Sequence, residues 1–330
     1  MSVSQSENPG RRAERARVAV VQFAPKLGRV DENIRKVSQL CAKLQPRSVD
    51  LVCLPEMAFT GYMFPSALAI TPYLEDPLTG PTSSFCATLA KRLSCYVMAG
   101  YPERLPPSEV QKQIIQDEET GEEKEVHQVG ANSAVVYGPE GTCILNYRKT
   151  NLFRTDRTWA KPGTGLATLH LPAPLHTITL GICNDLNPHP PSIWTSLEDG
   201  PYEIAQHCID TKSRVLIMLN AWLASGSGKE VSDENNERVD WTTINYWAVR
   251  MRPLWADDKL GKEKSSPGTG RGDTEQVHET FALICNRCGE EDGTKFAGSS
   301  ALFSLRRNSG KPRLINCLDR YTEGITIWNI

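Results

Sequence analysis

Three stretches of the chain end an apolar run on a side chain that can do chemistry. Thr177-Ile178-Thr179-Leu180-Gly181-Ile182-Cys183-Asn184-Asp185-Leu186 passes from a strand-like run into a cysteine followed by polar residues. A strand that stops in a tight turn exposes its last side chain and turns the next backbone N–H groups toward the same space, which suits a nucleophile. Leu51-Val52-Cys53-Leu54-Pro55-Glu56 ends on a carboxylate and Ile144-Leu145-Asn146-Tyr147-Arg148-Lys149 on an amine. A thiol with a pKa near ~8.5 is mostly protonated at neutral pH and needs a base or a cation beside it. Glu56 can take that proton and later activate water. Lys149 can hold positive charge beside a developing oxyanion, together with the backbone N–H of Asn184. The set Glu56, Lys149 and Cys183 therefore describes attack on a carbonyl or nitrile carbon, a covalent thioester, release of an amine or ammonia, and hydrolysis. Taken singly, a strand cysteine is usually packing and a Glu or Lys is usually a surface charge. Their occurrence at three strand ends carries the inference.

These residues need a scaffold that brings strand ends together. The first strand is expected at 17–23, followed by a helix from Asp31 with Ile34, Val37, Leu40, Cys41 and Leu44 on one face. Residues 49–54 read as a strand buried on both faces, 81–93 as a helix and 95–100 as a strand. Further strands are expected at 133–137, 143–147, 177–182, 215–220, 281–286, 301–304 and 324–328, with helices over 202–212 and 239–251. Strands and helices alternate in the first third, and short turns pair strands in the middle, which predicts an α/β layered domain with a mixed sheet or two sheets face to face. Residues 1–16 read as a disordered leader and 17–330 as one domain, with polar insertions near 104–128, 225–238 and 257–279. The acidic run within the first insertion reads as a solvated hairpin or loop.

Composition narrows the class. A formal net charge of −2 gives no sign of a nucleic-acid binder or a polybasic membrane surface, and no apolar run approaches the ~20 residues a bilayer span needs. Ten cysteines, many in apolar contexts, fit reduced thiols in the cytoplasm, with the nucleus also compatible. Cys285 and Cys288 have the spacing of half a zinc site but lack a matching second pair, so no metal is expected. The Glu–Lys–Cys scheme calls for no cofactor.

The segments Leu54-Pro55-Glu56-Met57-Ala58-Phe59-Thr60-Gly61-Tyr62, Tyr147-Arg148-Lys149-Thr150-Asn151-Leu152-Phe153 and Gly181-Ile182-Cys183-Asn184-Asp185-Leu186 resemble the three signature blocks of the nitrilase (carbon–nitrogen hydrolase) superfamily. That resemblance spans most of the chain and implies a four-layer α-β-β-α sandwich of the nitrilase type. The segments 183–188, 218–223 and 286–293 resemble the eukaryotic protein N-terminal asparagine amidohydrolase branch. Its members turn an N-terminal Asn or Gln side-chain amide into Asp or Glu with release of ammonia, feeding the N-degron pathway.

On this basis the expected partners are protein or peptide N-termini bearing Asn or Gln. Reading the free α-ammonium calls for acceptors at the pocket mouth; Asp185 and the acids 290–292 are candidates. Asn184 and Asn220 are expected as hydrogen-bonding groups and Trp222 as a pocket wall. Two positions depart from the family pattern. The second glutamate usual shortly after the lysine is missing, Asp156 being the only acid in 154–163, and Asn184 stands where a larger apolar residue is expected. The alternatives are another small-amide or nitrile hydrolase resembling ω-amidase, or a catalytically impaired binding relative. Oligomeric state is not legible.

Overall fold

The computed structural model describes residues 15–116, 120–226, 238–257 and 278–330. The first half comprises β1 (Arg17–Gln22), α1 (Val30–Cys41), β2 (Leu51–Cys53), the short α2 (Ala67–Ile70), α3 (Pro81–Leu93) and β3 (Tyr96–Arg104). It continues with β4 (Gln111–Gln116), β5 (Glu123–Gln128), β6 (Gly130–Tyr137), β7 (Cys143–Arg148) and the one-turn α4 (Arg154–Arg157). The second half holds β8 (Ala167–His170), β9 (Thr177–Ile182), α5 (Glu203–Asp210), β10 (Val215–Asn220), α6 (Trp241–Arg250) and β11 (Glu279–Asn286). A two-residue hairpin pair, β12 (Glu290–Glu291) and β13 (Thr294–Lys295), precedes β14 (Ala301–Arg306), β15 (Arg313–Cys317) and β16 (Gly324–Asn329).

Two six-stranded sheets result, ordered β16-β1-β2-β3-β6-β7 and β15-β14-β11-β10-β9-β8. Each has a parallel centre, β1-β2-β3 in one and β9-β10-β11 in the other, flanked by antiparallel strands. The strands' two-residue period sorts side chains into layers. Val18 and Val20 of β1 face the core between the sheets, with Ile178, Leu180 and Ile182 of β9 opposite. Ala19 and Val21 face outward, onto Val37 and Cys41 of α1 and Leu89 and Leu93 of α3. Leu216 and Met218 of β10 likewise meet Ile204 of α5 and Trp247 of α6. Burial on both faces is why these strands read as continuous apolar runs. The architecture is the expected α-β-β-α sandwich.

Within residues 104–128, 111–116 and 123–128 pair as the antiparallel hairpin β4–β5, from Gln111 opposite Gln128 to Gln116 opposite Glu123. Residues 117–119 of its acidic run lie outside the described residues, as do 1–14 of the expected leader, 227–237 and 258–277. The edge strands β8 and β15 were not expected from the sequence. β15 has no buried residue and its alternation breaks at the exposed pair Ile315 and Asn316, too weak a pattern to separate from a loop.

A close backbone approach seats Glu56. Gly100 N donates to Pro55 O at 3.1 Å and Ala58 N to Gly100 O at 2.9 Å, so β3 continues to hold the chain after β2 has ended. A Cβ on Gly100 would stand 2.5 Å from Glu56 Cα and 2.8 Å from Met57 N. Gly100→Ala is therefore expected to cost about 1–3 kcal/mol through overpacking and to lower the thermal midpoint by several degrees. A midpoint equal to that of the parent in a thermal melt would contradict this close approach.

Candidate active site

Lys149 follows β7 directly and its ammonium is fully buried. It donates to Glu56 Oε1 and to Asp156 Oδ2, both at 2.7 Å. Asn132, inside β6, donates through Nδ2 to Glu56 Oε1 at 2.7 Å and Asp156 Oδ1 at 2.9 Å, bridging the two carboxylates. Asp156 sits in α4, where its Oδ2 also accepts from Phe153 N at 3.0 Å, and Glu56 Oε2 accepts from Ala221 N at 2.7 Å. Burial alone would lower the Lys149 pKa, but Asp156 and Glu56 outweigh it and hold the amine charged, well above its usual range. Burial raises the Glu56 carboxyl above its ordinary value, against the pull of Lys149 and with the push of Asp156. The acid wanted after the lysine is thus supplied by Asp156, within reach because α4 turns it back onto Lys149. The second glutamate is absent, as the sequence shows, and an aspartate stands at the lysine in its place.

Cys183 opens a tight turn, Cys183–Leu186, directly after β9, and adopts a left-handed φ of 41°. Such a backbone is rare for a side chain with a Cβ and persists only where neighbours hold it. Asn220, at the end of β10, accepts from Cys183 N at 3.1 Å. Asp185 holds the rest: Oδ2 accepts from Ile182 N at 2.8 Å and Tyr147 Oη at 2.7 Å, and Oδ1 from Thr150 N at 3.0 Å and Asn151 N at 2.8 Å. One buried carboxylate therefore ties the cysteine turn to the residues just after Lys149. Burial pushes the Cys183 thiol well above its usual pKa, and the negative Glu56 adds to this while Lys149 opposes it. The Ala221 N–H that binds Glu56 also bears on the sulfur and lowers its pKa.

The structure thus brings Glu56, Lys149 and Cys183 to one place. It sets Asp185 beside them with both oxygens committed to donors of its own loops. The Asn184 side chain is turned away along the loop: Nδ2 donates to Leu152 O at 3.3 Å and Oδ1 accepts from Asn187 Nδ2 at 2.7 Å. Trp222 is half-buried, its ring 5.7 Å from Tyr246 and 5.9 Å from Trp247. Of the three acids at 290–292, Glu291 is buried against Arg287, while Glu290 and Asp292 are exposed. Asn132 escaped the sequence reading, although a polar residue inside the buried strand 130–137 was a usable signal.

Cys285 Sγ points to the Cys53 and Val21 carbonyls and Cys288 Sγ to Thr322 O. Among the described residues no group of three or more His, Cys, Asp or Glu side chains is arranged to hold a metal. No described helix is long and apolar enough to cross a membrane. A groove of about 440 Å³ runs between Met63, Phe64, the β4–β5 hairpin and α4, with none of Glu56, Lys149 and Cys183 in its lining.

The chain is 28% identical over 320 residues to the protein N-terminal amidase of Schizosaccharomyces pombe, covering 93% of this chain and 96% of that one. It is 27% identical over 423 residues to the protein N-terminal amidase of Saccharomyces cerevisiae, covering 90% and 87%. A crystal structure of an N-terminal amidase with an Asn-Glu-Ala peptide shares the fold at a TM-score of 0.72 and 20% identity, over 96% of this chain and 98% of that one. Residues 17–197 match the carbon–nitrogen hydrolase family. Because that match spans more than half of the chain, the protein belongs to the carbon–nitrogen hydrolase family.

Proposed function

We propose that the protein hydrolyses the side-chain amide of an N-terminal Asn or Gln in peptides or proteins, giving Asp or Glu and ammonia. The chemistry is supported by one observation above all, the buried Lys149 held between Glu56 and Asp156 against the Cys183 turn. The substrate class is supported by the near full-length similarity to two proteins named protein N-terminal amidase.

Glu56 takes the Cys183 proton. Negative charge moves from oxygen to sulfur beside the Lys149 ammonium, and the net charge of the cluster is unchanged. Sulfur attacks the carboxamide carbon, and the carbonyl π electrons move to oxygen, where Lys149 and the Asn184 N–H stabilise them. Collapse breaks the C–N bond, and ammonia leaves with the proton held by Glu56. Glu56 then takes a proton from water as the resulting hydroxide adds to the thioester, and Cys183 departs as a thiol. Asp156 and Asn132 position Lys149 and Glu56. Asp185 and Asn220 shape the turn that presents the nucleophile, so Asp185 acts through backbone geometry rather than as the reader of the substrate ammonium. Trp222 walls the pocket. The free state of all ten cysteines fits work in a reducing compartment, the cytoplasm or nucleus, and the products suit an N-degron route.

Mass spectrometry of short peptides tests the reaction. Peptides beginning with free Asn or Gln are expected to gain the mass of one deamidation, while acetylated Asn peptides stay unchanged. Turnover of free asparagine or small ω-amides without turnover of the peptides would instead favour the small-amide reading. Glu56→Gln removes the negative charge that helps raise the thiol pKa. The pH midpoint for Cys183 alkylation is therefore expected to fall, while ammonia release drops by roughly 10²–10⁴-fold; a midpoint that rises would contradict the assignment. Asp156→Asn, which leaves Lys149 with one carboxylate, is expected to cost on the order of 100-fold in kcat, the scale of a misplacement of about 1 Å. A kcat equal to the parent's would remove Asp156 from the scheme.

A further inference from the structure

The segment 286–293 contains a charged pair that the proposed chemistry does not use. Arg287 is fully buried and forms an ion pair with buried Glu291. Glu291 Oε2 accepts from Tyr62 N and Met63 N, both at 2.9 Å. The Arg287 guanidinium lies over the Phe296 ring at 3.8 Å and donates to Pro25 O at 3.1 Å. Phe296 in turn meets Tyr62 edge-on at 6.4 Å. The turn that receives Glu291 is made for it: Gly61 has φ 80°, and a Cβ there would stand 2.6 Å from Glu291 Oε1. The hairpin that connects β11 to β14 of the second sheet thus reaches across to hold the loop that follows Glu56 at the first.

Buried ion pairs are often no more stabilising than apolar residues of the same shape, so what such a pair holds in place is the informative point. Here it holds Tyr62. The Tyr62 ring lies 5.7 Å from Lys149 Nζ and its side chain is almost wholly buried. Its hydroxyl has no hydrogen-bond partner among the described residues, although buried tyrosine hydroxyls normally find one. Asp156 is close enough to raise the phenol pKa, after burial, the largest cause. Asp156 already accepts from Lys149 and Phe153 N at Oδ2 and from Asn132 at Oδ1, which leaves at most one acceptor position there for the phenol. Burial, and then the neighbouring carboxylates, keep the phenol neutral beside the lysine and the sulfur.

We propose that Arg287 and Glu291 are a positioning pair that fixes the Tyr62–Met63 backbone, so that the Tyr62 hydroxyl makes a hydrogen bond to the N-terminal residue of the substrate at Cys183. The inference rests on the peptide-amidase reading. The lost contact is one hydrogen bond to bound substrate, so the effect belongs mainly in KM.

The test is a double-mutant cycle on an Asn-initiated peptide. Tyr62→Phe keeps the ring and is expected to raise KM by up to about 10-fold, the scale of one net hydrogen bond. Glu291→Gln is expected to raise KM similarly, and to add nothing further in the Tyr62→Phe background. Both should leave Cys183 alkylation in the absence of peptide within a factor of about two of the parent. Peptide protection of Cys183 against alkylation gives the same comparison as a binding constant without turnover. If Glu291→Gln fails to fold, Gly61→Ala, which pushes on Glu291 from the other side, takes its place. An unchanged KM in Tyr62→Phe, or additive effects in the cycle, overturns the proposal while ammonia release by the parent leaves the amidase reading standing. A parent that neither releases ammonia from Asn peptides nor is protected by them overturns both.

Discussion

A lysine ammonium without solvent contact is the constraint around which the site is built. Removing such an ion from water costs several kcal/mol, and the offset comes from two carboxylates at 2.7 Å and from Asn132, which links them. Each partner is delivered by a different element: Glu56 by the chain leaving β2, Asn132 by the interior of β6, Lys149 by the end of β7 and Asp156 by α4. Loss of any one leaves a buried charge or a buried amide without its partner. The two carboxylates also leave this cluster with one excess negative charge, next to a buried thiol. Burial first, and then that charge, raise the Cys183 thiol pKa, while Lys149 opposes them.

The second half of the molecule is fastened to that cluster through backbone rather than through charge. Asp185 spends its oxygens on three N–H groups and one hydroxyl, joining the turn after β9 to the chain after β7. Asn220 and Ala221, at the end of β10, hold the Cys183 amide and Glu56 respectively. The C-terminal ends of β2, β9 and β10 thus share one site because two sheets pack face to face across a single apolar layer. Ligands gather at such strand ends in α/β folds for the same geometric reason.

Much of this was legible in the chain. Glu56, Lys149 and Cys183 each close an apolar run, and strand ends are visible wherever hydrophobic residues stop abruptly at polar ones. The sandwich was legible too, because strands buried on both faces leave unbroken apolar runs and the outer helices leave amphipathic ones. Hairpin β4–β5 was legible only as a hairpin or loop without strand bounds, and edge strands β8 and β15 were not legible, since exposed strands carry little periodicity. Asp185 is a related case. Its acidity suggested an ammonium reader, but whether a carboxylate faces a pocket or the backbone beside it depends on the path of the loop.

The sequence alone determined the candidate reacting groups, the order in which they occur and the layered scaffold, because these follow from residue type and local period. The tertiary structure decided the partners. Asp156 stands in for the expected glutamate because α4 folds it back onto Lys149, across a gap of only seven residues. Glu291 reaches Tyr62 across 229 residues, and Ala221 reaches Glu56 across 165. Contacts at such separations leave no periodic trace in the chain, and they exist only once the two sheets have packed.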